Sequence, residues 1–321
     1  MTGRRVLVTG GAGFIGAHLC AALLDRGDAV AVVDNFDPFY PERLKRRALE
    51  PLLLRGLTLH QLDIRDEPSL RAAFLQARPD CVVHLAALAG VRPSLENPGA
   101  YQDVNVRGTA HLLEAARLAG VRRVALGSSS SVYGAFAKAP FREDSLIDSP
   151  LSPYAASKAA SELLGRTFNH LYQLEIAALR FFTVYGPRQR PDLAIHKFAR
   201  LMLSGKPLPF FGDGETRRDY TWVDDIVAGV VASLEVPLKY ETLNLGGAQT
   251  TSLRELITLL EEALGVQAIL DQKPAQPGDM VLTSADVTRA GAVLGYAPKT
   301  PLREGLHKFA QWMRGEGMSW T

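Results

Sequence analysis

Short β-branched segments alternate with amphipathic segments through the first half of the chain, and this alternation constrains the fold more than any other feature. Such strand–helix–strand units build a parallel sheet, because each parallel strand needs a crossover that returns to the same edge. The pattern predicts strands over 6–8, 29–33, 57–62, 81–85, 123–126 and 176–181, and helices over 14–26, 100–118 and 153–172. We therefore expect an α/β protein with a doubly wound parallel sheet.

Composition narrows the class of protein. Apolar residues make up 47% of the chain and charged residues 22%, which is typical of soluble globular proteins. The net charge of +2 gives no electrostatic reason to expect nucleic acid or an anionic membrane as a partner. No apolar run approaches the ~20 residues that a spanning helix needs, and the first strand begins too early to leave room for a signal peptide. Cys20 and Cys81 have neither disulfide nor metal-ligand spacing, so we expect a cytoplasmic protein without a metal site.

A glycine-rich turn, Thr9-Gly-Gly-Ala-Gly-Phe-Ile-Gly16, joins the first predicted strand to the first predicted helix. Glycines let the backbone approach a pyrophosphate closely, and a helix N-terminus offers free N–H groups and a positive dipole end. Asp34 ends the second strand, where its carboxylate can bind the adenosine ribose hydroxyls and repel a 2′-phosphate. The pattern favours a Rossmann arrangement that binds NAD rather than NADP; the alternative is a structural turn with a surface aspartate. The cofactor-binding residues predicted here are Gly10, Gly13, Phe14, Ile15, Gly16, Asp34 and Asn35.

Six further residues are weaker candidates for the cofactor site. Asp63 and Ile64 follow the third strand, where an adenine-binding side chain lies in doubly wound sheets, although Asp63 could equally cap a helix. The small residues of the segment Leu85, Ala86 and Ala87 could pack near the dinucleotide or simply admit a neighbouring helix. Asn105 could hold either backbone or cofactor.

A serine, a tyrosine and a lysine are the candidate catalytic residues. Tyr154 and Lys158 are four residues apart on a predicted helix and therefore share a face. The fifth strand ends in four serines, 128–131, at the edge of the sheet where ligands of such folds bind. A tyrosine with a reference pKa of ~10 is a poor base at neutral pH, but a neighbouring ammonium and an oxidised nicotinamide both favour its phenolate. Tyr-x-x-x-Lys by itself is a frequent chance pattern. The catalytic interpretation therefore rests on its occurrence together with the glycine turn and the serine-rich strand end.

Beyond Tyr185 the pattern loosens, since glycine, proline and charged clusters interrupt shorter elements. No internal repeat, low-complexity tract or linker separates the two parts. We predict an NAD-binding Rossmann domain over 1–179 and a smaller α/β substrate-binding lobe over 180–321, with some segments of the second part returning to the first.

At these residues the chain resembles the extended short-chain dehydrogenase/reductase family, whose members use a bound nicotinamide to work on nucleotide sugars. Within that family it is most similar to the UDP-glucuronate 4-epimerases, and next to the UDP-glucose 4-epimerases. The narrower likeness lies in six stretches, which are 34–40, 89–98, 128–134, 179–187, 190–192 and 276–279.

The resemblance implies roles for individual residues. Ser129 is the catalytic serine together with Tyr154 and Lys158, and its neighbours Ser130 and Ser131 could share its hydrogen bonding. Three positions fall where relatives bind the nucleotide diphosphate or uridine, namely Thr183, Arg218 and Asp279. Many UDP-glucose epimerases carry an arginine where this chain has Gln276, which favours the glucuronate branch.

Dehydratases and UDP-glucuronate decarboxylases of this group place an acidic residue after the catalytic Ser/Thr, whereas this chain has Ser130 and Ser131. Elimination chemistry is therefore disfavoured. The resemblance predicts C4 epimerisation: Tyr154 takes the O4 proton, a 4-keto sugar forms and turns over, and the proton and hydride return to it. A glucuronate substrate would give a β-keto acid, whose carboxylate must be held out of alignment with the carbonyl. Arg190 is the candidate for that task, since guanidinium pairs with carboxylate in a fixed geometry, and Arg92 is a second; each could instead be a loop arginine.

Three alternatives stay open from the sequence. A UDP-glucose/UDP-galactose 4-epimerase would share all of this machinery, a net reductase or dehydrogenase would accumulate NADH, and an NAD-binding sensor would need no catalytic trio. A homodimer through the helices at 100–118 and 153–172 is expected from the resemblance.

Overall fold

The computed structural model describes residues 3–274 and 280–320. Within these ranges the strands are β1 (Arg5–Thr9), β2 (Ala29–Asp34), β3 (Thr58–Gln61), β4 (Cys81–His84), β5 (Arg123–Ser129), β6 (Glu175–Phe181), β7 (Thr183–Tyr185), β8 (Leu208–Phe211), β9 (Arg217–Arg218), β10 (Tyr220–Trp222), β11 (Tyr240–Leu245), β12 (Thr251–Ser252) and β13 (Leu270–Lys273).

The α-helices are α1 (Phe14–Asp25), α2 (Glu42–Leu53), α3 (Glu67–Ala77), α4 (Val91–Glu96), α5 (Pro98–Tyr101), α6 (Gly108–Leu118), α7 (Pro153–Tyr172), α8 (Ala194–Leu203), α9 (Val223–Glu235), α10 (Leu253–Leu264), α11 (Thr288–Leu294) and α12 (Leu302–Gly315). A π-helical segment, Gln102–Arg107, joins α5 to α6, and short 3₁₀ turns follow β5 and α12. In the described ranges, no helix combines the length and apolar character needed to cross a membrane.

Seven parallel strands form the central sheet in the order β11-β6-β5-β4-β1-β2-β3. The chain runs outward from β1 through β2 to β3, then returns to β4 on the other side of β1 and continues to β5 and β6. The strand order therefore reverses between β1 and β4, which opens a crevice outside the carboxyl ends of these strands. The doubly wound Rossmann fold predicted from the alternating pattern is confirmed.

Both faces of this sheet are covered, which explains why its strands read as continuous apolar runs. In β1, the side chains of Val6 and Val8 pack into one core cluster and that of Leu7 into a second cluster. Val83 and Val82 of β4 divide between the same two clusters. Successive side chains of a strand point to opposite faces, so each strand contributes to two helical layers.

The helix expected over 100–118 is not continuous, because the π-helical segment interrupts it. Asn105 lies in this segment with its side chain buried and bonded to the backbone of Leu88. The next turn approaches the loop after β3 closely: a Cβ on Gly108 would lie 2.5 Å from Cδ1 of Ile64. The widened turn and the glycine together let this helix pack against the loops that follow β3 and β4.

Strand β11 lies well beyond residue 179 and yet pairs with β6 along the edge of the central sheet. The remaining strands form two-stranded pairs, β7 with β10, β8 with β13 and β9 with β12. The chain after β6 thus both extends the central sheet and builds the smaller elements at its carboxyl edge. The division into 1–179 and 180–321 stays a prediction.

Candidate functional site

A cleft of about 380 Å³ lies at the carboxyl ends of β1, β2, β4 and β5. This volume is within the ~300–1,000 Å³ range of small-molecule and cofactor sites. Most of the predicted site residues line it, namely Gly10, Gly13, Phe14, Ile15, Gly16, Asp34, Asn35, Asp63, Ile64, Leu85, Ala86, Ala87, Ser129, Tyr154, Lys158, Thr183 and Arg190. Residues from β1 to β7 are therefore brought together in one place.

The glycine turn forms the floor of the cleft beside β4. Gly10 has a φ of +72°, and a Cβ there would lie 2.6 Å from the backbone nitrogen of Ala86. A Cβ on Gly16 would lie 2.2 Å from the carbonyl oxygen of Gly10. Gly13 is the N-cap residue of α1 and provides no side-chain cap, so the N–H groups of the first turn stay available to a ligand. The turn is a cradle for an anionic group such as a pyrophosphate.

The Asp34 carboxylate is buried at the end of β2 and oriented by two backbone donors. The N–H groups of Ala12 and Phe36 donate to its two oxygens at 3.0 and 2.8 Å. Burial raises the pKa of Asp34, while these N–H groups and the charge of Lys45 act in the opposite direction. The carboxylate is thus fixed between the glycine turn and the following loop, where it can also accept hydrogen bonds from ribose hydroxyls.

Asp63 is held by an arginine rather than by a helix terminus. Arg65 donates to both of its oxygens at 2.9 and 2.8 Å, and Asn35 donates at 2.9 Å. These bonds, above all those from Arg65, lower the pKa of Asp63 to about 2. The N-cap of α3 is Asp66, so helix capping does not account for Asp63. The carboxylate instead joins the loops after β2 and β3 along the cleft.

Asn105 is not among the residues lining the cleft. Its side chain donates to the carbonyl oxygen of Leu88 at 3.0 Å and to Oγ of Ser157 at 2.9 Å, and accepts from the Leu88 N–H at 2.8 Å. Asn105 was predicted to hold either backbone or cofactor, and in the structure its side chain holds backbone. By tying the loop after β4 to α7, Asn105 fixes the wall formed by Leu85, Ala86 and Ala87.

The catalytic candidates converge from two elements. Ser129 ends β5, and Tyr154 and Lys158 lie in the first two turns of α7. Ser129 lies near enough to Tyr154 to lower the pKa of its phenol. The Lys158 ammonium donates to the carbonyl oxygen of Gly127 at 2.7 Å, two residues before Ser129. Lys158 therefore links α7 to the strand that carries the serine.

The two serines that follow Ser129 make different contacts. Ser131 donates from Oγ to Oγ of Ser129 at 2.9 Å, and its N–H donates to the same oxygen at 3.2 Å. Ser130 begins the 3₁₀ turn, and neither Ser130 nor Ser131 is among the residues lining the cleft. The predicted sharing of hydrogen bonds is therefore seen for Ser131, which leaves Ser129 as the hydroxyl that faces the cleft.

The pKa of Tyr154 is shifted by burial and by two neighbouring side chains. Burial raises its pKa above the ordinary value, while the hydrogen bond from Ser129 and the charge of Arg190 lower it. Arg190 is one cation that acts on the phenol. The Lys158 ammonium donates to Gly127, and burial lowers its pKa to about 8. The support of the phenolate by the charge of Lys158 stays a prediction.

Arg190 lines the cleft, with its guanidinium stacked over the ring of Phe39 at 4.5 Å. Its Nε and Nη2 donate to the two carboxylate oxygens of Asp192 at 2.9 and 2.6 Å. Thr183 begins β7 on the same wall, where its N–H is bonded to the carbonyl oxygen of Asp219. A guanidinium, a hydroxyl and a phenol thus surround the space next to Ser129.

The remaining candidates lie elsewhere. Arg92 is on α4 with its guanidinium 5.9 Å from the ring of Phe211, and Arg218 donates to the carbonyl oxygen of Arg217 at 2.9 Å. Neither is among the residues lining the cleft. Asp279 lies outside the described residues, as does Gln276. No group of three or more His, Cys, Asp or Glu side chains able to hold a metal ion occurs in 3–274 or 280–320.

Sequence reasoning assigned no role to three residues in the loop after β2 and the first turn of α2. Phe39, Tyr40 and Lys45 all line the cleft, and Lys45 donates from Nζ to the carbonyl oxygen of Asp37 at 2.6 Å, 4.6 Å from the ring of Tyr40. The aromatic pair falls within the 34–40 stretch, but nothing in its spacing indicates which way the rings point.

A buried ion pair behind the trio was also missed. Glu162 lies one turn beyond Lys158 on α7, and Arg180 of β6 donates to both its oxygens at 2.9 and 2.7 Å. The hydroxyl of Ser128 donates to the same carboxylate at 2.5 Å. The i, i+4 spacing of Lys158 and Glu162 is a signal that could have suggested a shared face, whereas the partner on β6 has no local signature.

Comparisons with known proteins agree with this geometry. Residues 6–246 match the model of the NAD dependent epimerase/dehydratase family. A UDP-glucuronate 4-epimerase of Thermodesulfobacterium geofontis is 43% identical over 310 residues, which cover 96% of this chain and 95% of that protein.

Two solved structures are similar over nearly the whole chain. The UDP-glucuronic acid 4-epimerase of Bacillus cereus, in complex with UDP-glucuronic acid and NAD, has a TM-score of 0.90 and 37% identity, covering 96% of this chain and 98% of that one. The UDP-glucose 4-epimerase of Thermotoga maritima, with UDP-glucose, has a TM-score of 0.89 and 34% identity, with coverage of 96% and 98%.

Proposed function

Because this chain belongs to the NAD-dependent epimerase/dehydratase family, we propose that it is a UDP-sugar 4-epimerase that converts UDP-glucuronate to UDP-galacturonate through a 4-keto intermediate. The observation that carries the proposal is the grouping of Ser129, Tyr154 and Lys158 in one cleft with the glycine cradle. The guanidinium of Arg190 at the sugar end supports a substrate that bears a carboxylate.

The cleft fits NAD. The uncapped first turn of α1, which begins at Gly13, suits a pyrophosphate, and the buried carboxylate of Asp34 suits ribose hydroxyls and disfavours a 2′-phosphate. The residues Leu85, Ala86 and Ala87 would flank the dinucleotide. Bound NAD supplies a reversible hydride acceptor for C4 and a positively charged ring that favours the phenolate.

The side chains of the trio divide the proton chemistry. Tyr154 removes the proton from O4 as C4 is oxidised and returns it after the 4-keto sugar has presented its other face. Ser129 Oγ accepts from Ser131, so its one proton can be donated either to the phenol oxygen or, with the sugar bound, to O4. Lys158 stabilises the end of β5 through Gly127 and adds positive charge below its pKa of about 8.

Arg190 protects the intermediate of a glucuronate substrate. A 4-keto hexuronate is a β-keto acid, which loses carbon dioxide when its carboxyl bond aligns with the carbonyl π system. A guanidinium that binds the carboxylate in a fixed plane keeps it out of that alignment. The Arg190→Ala variant should therefore lose much more turnover on UDP-glucuronate than on UDP-glucose, whereas equal losses would speak against this role.

A UDP-glucose 4-epimerase is the second candidate, favoured by the similarity to the Thermotoga maritima enzyme. Incubating the purified protein with UDP-glucuronate and UDP-glucose separately, without added NAD, distinguishes the two by NMR of the products. We expect UDP-galacturonate to form faster than UDP-galactose. Faster turnover of UDP-glucose would identify UDP-glucose as the substrate. Steady accumulation of NADH would show that the reaction is a net oxidation.

We further propose a cytoplasmic homodimer. Both cysteines, Cys20 and Cys81, are free and buried, which suits a reducing compartment. Large apolar side chains are exposed at the outer face of α6 and α7, including Leu118, Leu163 and Leu171. Such a face suits self-association. Sedimentation should give twice the chain mass, and Leu163→Glu with Leu171→Glu should give the monomer; a monomeric wild-type protein would refute the dimer.

A further inference from the structure

The guanidinium of Arg190 has two edges that can each receive a carboxylate, a side-on edge formed by Nε and Nη2 and an end-on edge formed by Nη1 and Nη2. Asp192 occupies the side-on edge, with both its oxygens within 2.9 Å of these nitrogens. Among hydrogen bonds of the described residues, none involves Nη1. The end-on edge therefore stays available for a second carboxylate.

Arg190 and Asp192 differ in their exposure to solvent. The Arg190 side chain is 15% exposed and that of Asp192 is 48% exposed. The ring of Phe39 lies 4.5 Å from the guanidinium carbon and restricts it on one face. Asp192 thus holds the guanidinium from the solvent side while Arg190 itself lines the cleft.

We propose that Asp192 determines how the cleft receives a sugar carboxylate: it fixes the side-on edge of Arg190, presents the end-on edge to the substrate, and offsets the arginine's charge. The inference rests on the proposed function, because it assumes that the sugar carries a carboxylate. Asp192 is a positioning residue, since it acts through Arg190. With Asp192 in place, the site would select a sugar carboxylate by the orientation of the Arg190 guanidinium and not by an excess of positive charge.

The two contributions of Asp192 can be separated by substitution. Asp192→Asn removes the charge but keeps an oxygen that can accept one N–H of Arg190. The unbalanced guanidinium then attracts an anionic sugar more strongly. Asp192→Ala removes the anchor as well, so the guanidinium can turn about its side-chain bonds.

Loss of the anchor has a chemical consequence. When the carboxylate of the 4-keto hexuronate is no longer held, the C5–C6 bond can break and C6 leaves as carbon dioxide. The electron pair of that bond forms a C4–C5 enolate, which takes up a proton at C5 and becomes a UDP-4-keto-pentose. This loss requires no further oxidant, since C4 has already been oxidised in the epimerase reaction.

The test compares wild-type protein, both Asp192 variants and a matched control, all loaded with NAD. The control is Asp144→Asn, because Asp144 binds Nε and Nη2 of Arg142 with the same two-residue spacing, at 3.2 Å, and neither residue is among those lining the cleft. Calorimetry gives the Kd of UDP-glucuronate and of UDP-glucose, and the release of carbon dioxide is measured per epimerisation event.

For Asp192→Asn we expect UDP-glucuronate to bind about three- to tenfold more tightly, with UDP-glucose within about twofold of wild type. For Asp192→Ala we expect carbon dioxide release per epimerisation to rise about tenfold, which is ~1.4 kcal/mol in relative barrier. The Asp144→Asn control should change neither quantity. An unchanged Kd ratio in Asp192→Asn, or wild-type carbon dioxide release in Asp192→Ala, would overturn the proposal.

Failure of the proposed function gives a different result. If the wild-type protein binds UDP-glucuronate without converting it, the proposed substrate is wrong, and the Kd ratios of the Asp192→Asn variant still decide whether Asp192 tunes carboxylate recognition. If the wild-type protein converts UDP-glucuronate while both variants behave like it, only the inference about Asp192 is refuted.

Discussion

Burial works against the proton transfer that we propose for Tyr154. It raises the pKa of the phenol, while the Ser129 hydroxyl and the Arg190 charge act in the opposite direction. We therefore expect the positive ring of bound NAD to favour the phenolate further, so that base strength and oxidant arrive together. Proton removal is thereby coupled to the presence of the oxidised cofactor.

Tyr154→Phe removes the proton acceptor without changing the shape of the wall. We expect turnover to fall by a factor of about 10³ or more, in line with the loss of a general base, while NAD remains bound after purification. Steady-state rates and the absorbance of the purified protein measure the two effects. Activity within tenfold of wild type would refute the assignment of the base.

We expect Lys158 to set an upper pH limit for the reaction. Burial lowers its pKa to about 8, with Glu162 acting in the opposite direction, so the ammonium loses its proton as the pH rises through that value. The charged form, which supports the phenolate, is present below this pKa and lost above it. We expect kcat to decline with a midpoint near pH 8, as measured in a pH–rate profile. A kcat that stays constant to pH 10 would contradict a requirement for the ammonium.

Among the elements, the junction of α7 with β5 and β6 determines the geometry of the trio. The buried carboxylate of Glu162 binds Ser128 of β5 and Arg180 of β6, one turn from Lys158. A substitution at this junction should therefore alter the positions of both Ser129 and Lys158.

Glu162→Ala should destabilise the fold strongly, because Arg180 would remain as an unpaired charge with a side chain only 3% exposed. Breaking one partner of a buried pair costs about 3–5 kcal/mol in the free energy of unfolding. Urea denaturation measures the loss. Thr167→Ala, at an exposed position of the same helix, is the control and should change stability by less than about 0.5 kcal/mol.

At the scale of the whole molecule, the reversal of strand order between β1 and β4 creates the site. The carboxyl ends of these strands carry the glycine cradle and the Leu85–Ala87 wall, and β5 adds Ser129. Segments from beyond β6 complete the lining of the cleft with Thr183 and Arg190. The fold thus brings residues from both parts of the chain into one cleft, in which we propose that the second part contributes to binding the sugar.

The sequence predicted the elements whose signals are local. The strands β1, β2 and β5 and the helix α7 follow from apolar periodicity. The shared face of Tyr154 and Lys158 follows from their spacing, whereas the choice of Ser129 among four serines rested on the resemblance. The pairing of β11 with β6 and the stacking of Arg190 on Phe39 could not be predicted, because both join residues far apart in the chain without a local pattern. The π-helical segment was missed for a related reason, since a tertiary contact of Asn105 accompanies it.

The path of the hydrogen on C4 tests the account most directly. UDP-glucuronate deuterated at C4 should give UDP-galacturonate that keeps deuterium at C4 in ordinary water, because the same hydride leaves and returns. NMR and mass spectrometry of the product measure the label. A product with protium at C4 would contradict the account, since the hydrogen would then have exchanged with solvent and no reversible hydride transfer at that carbon could explain the reaction.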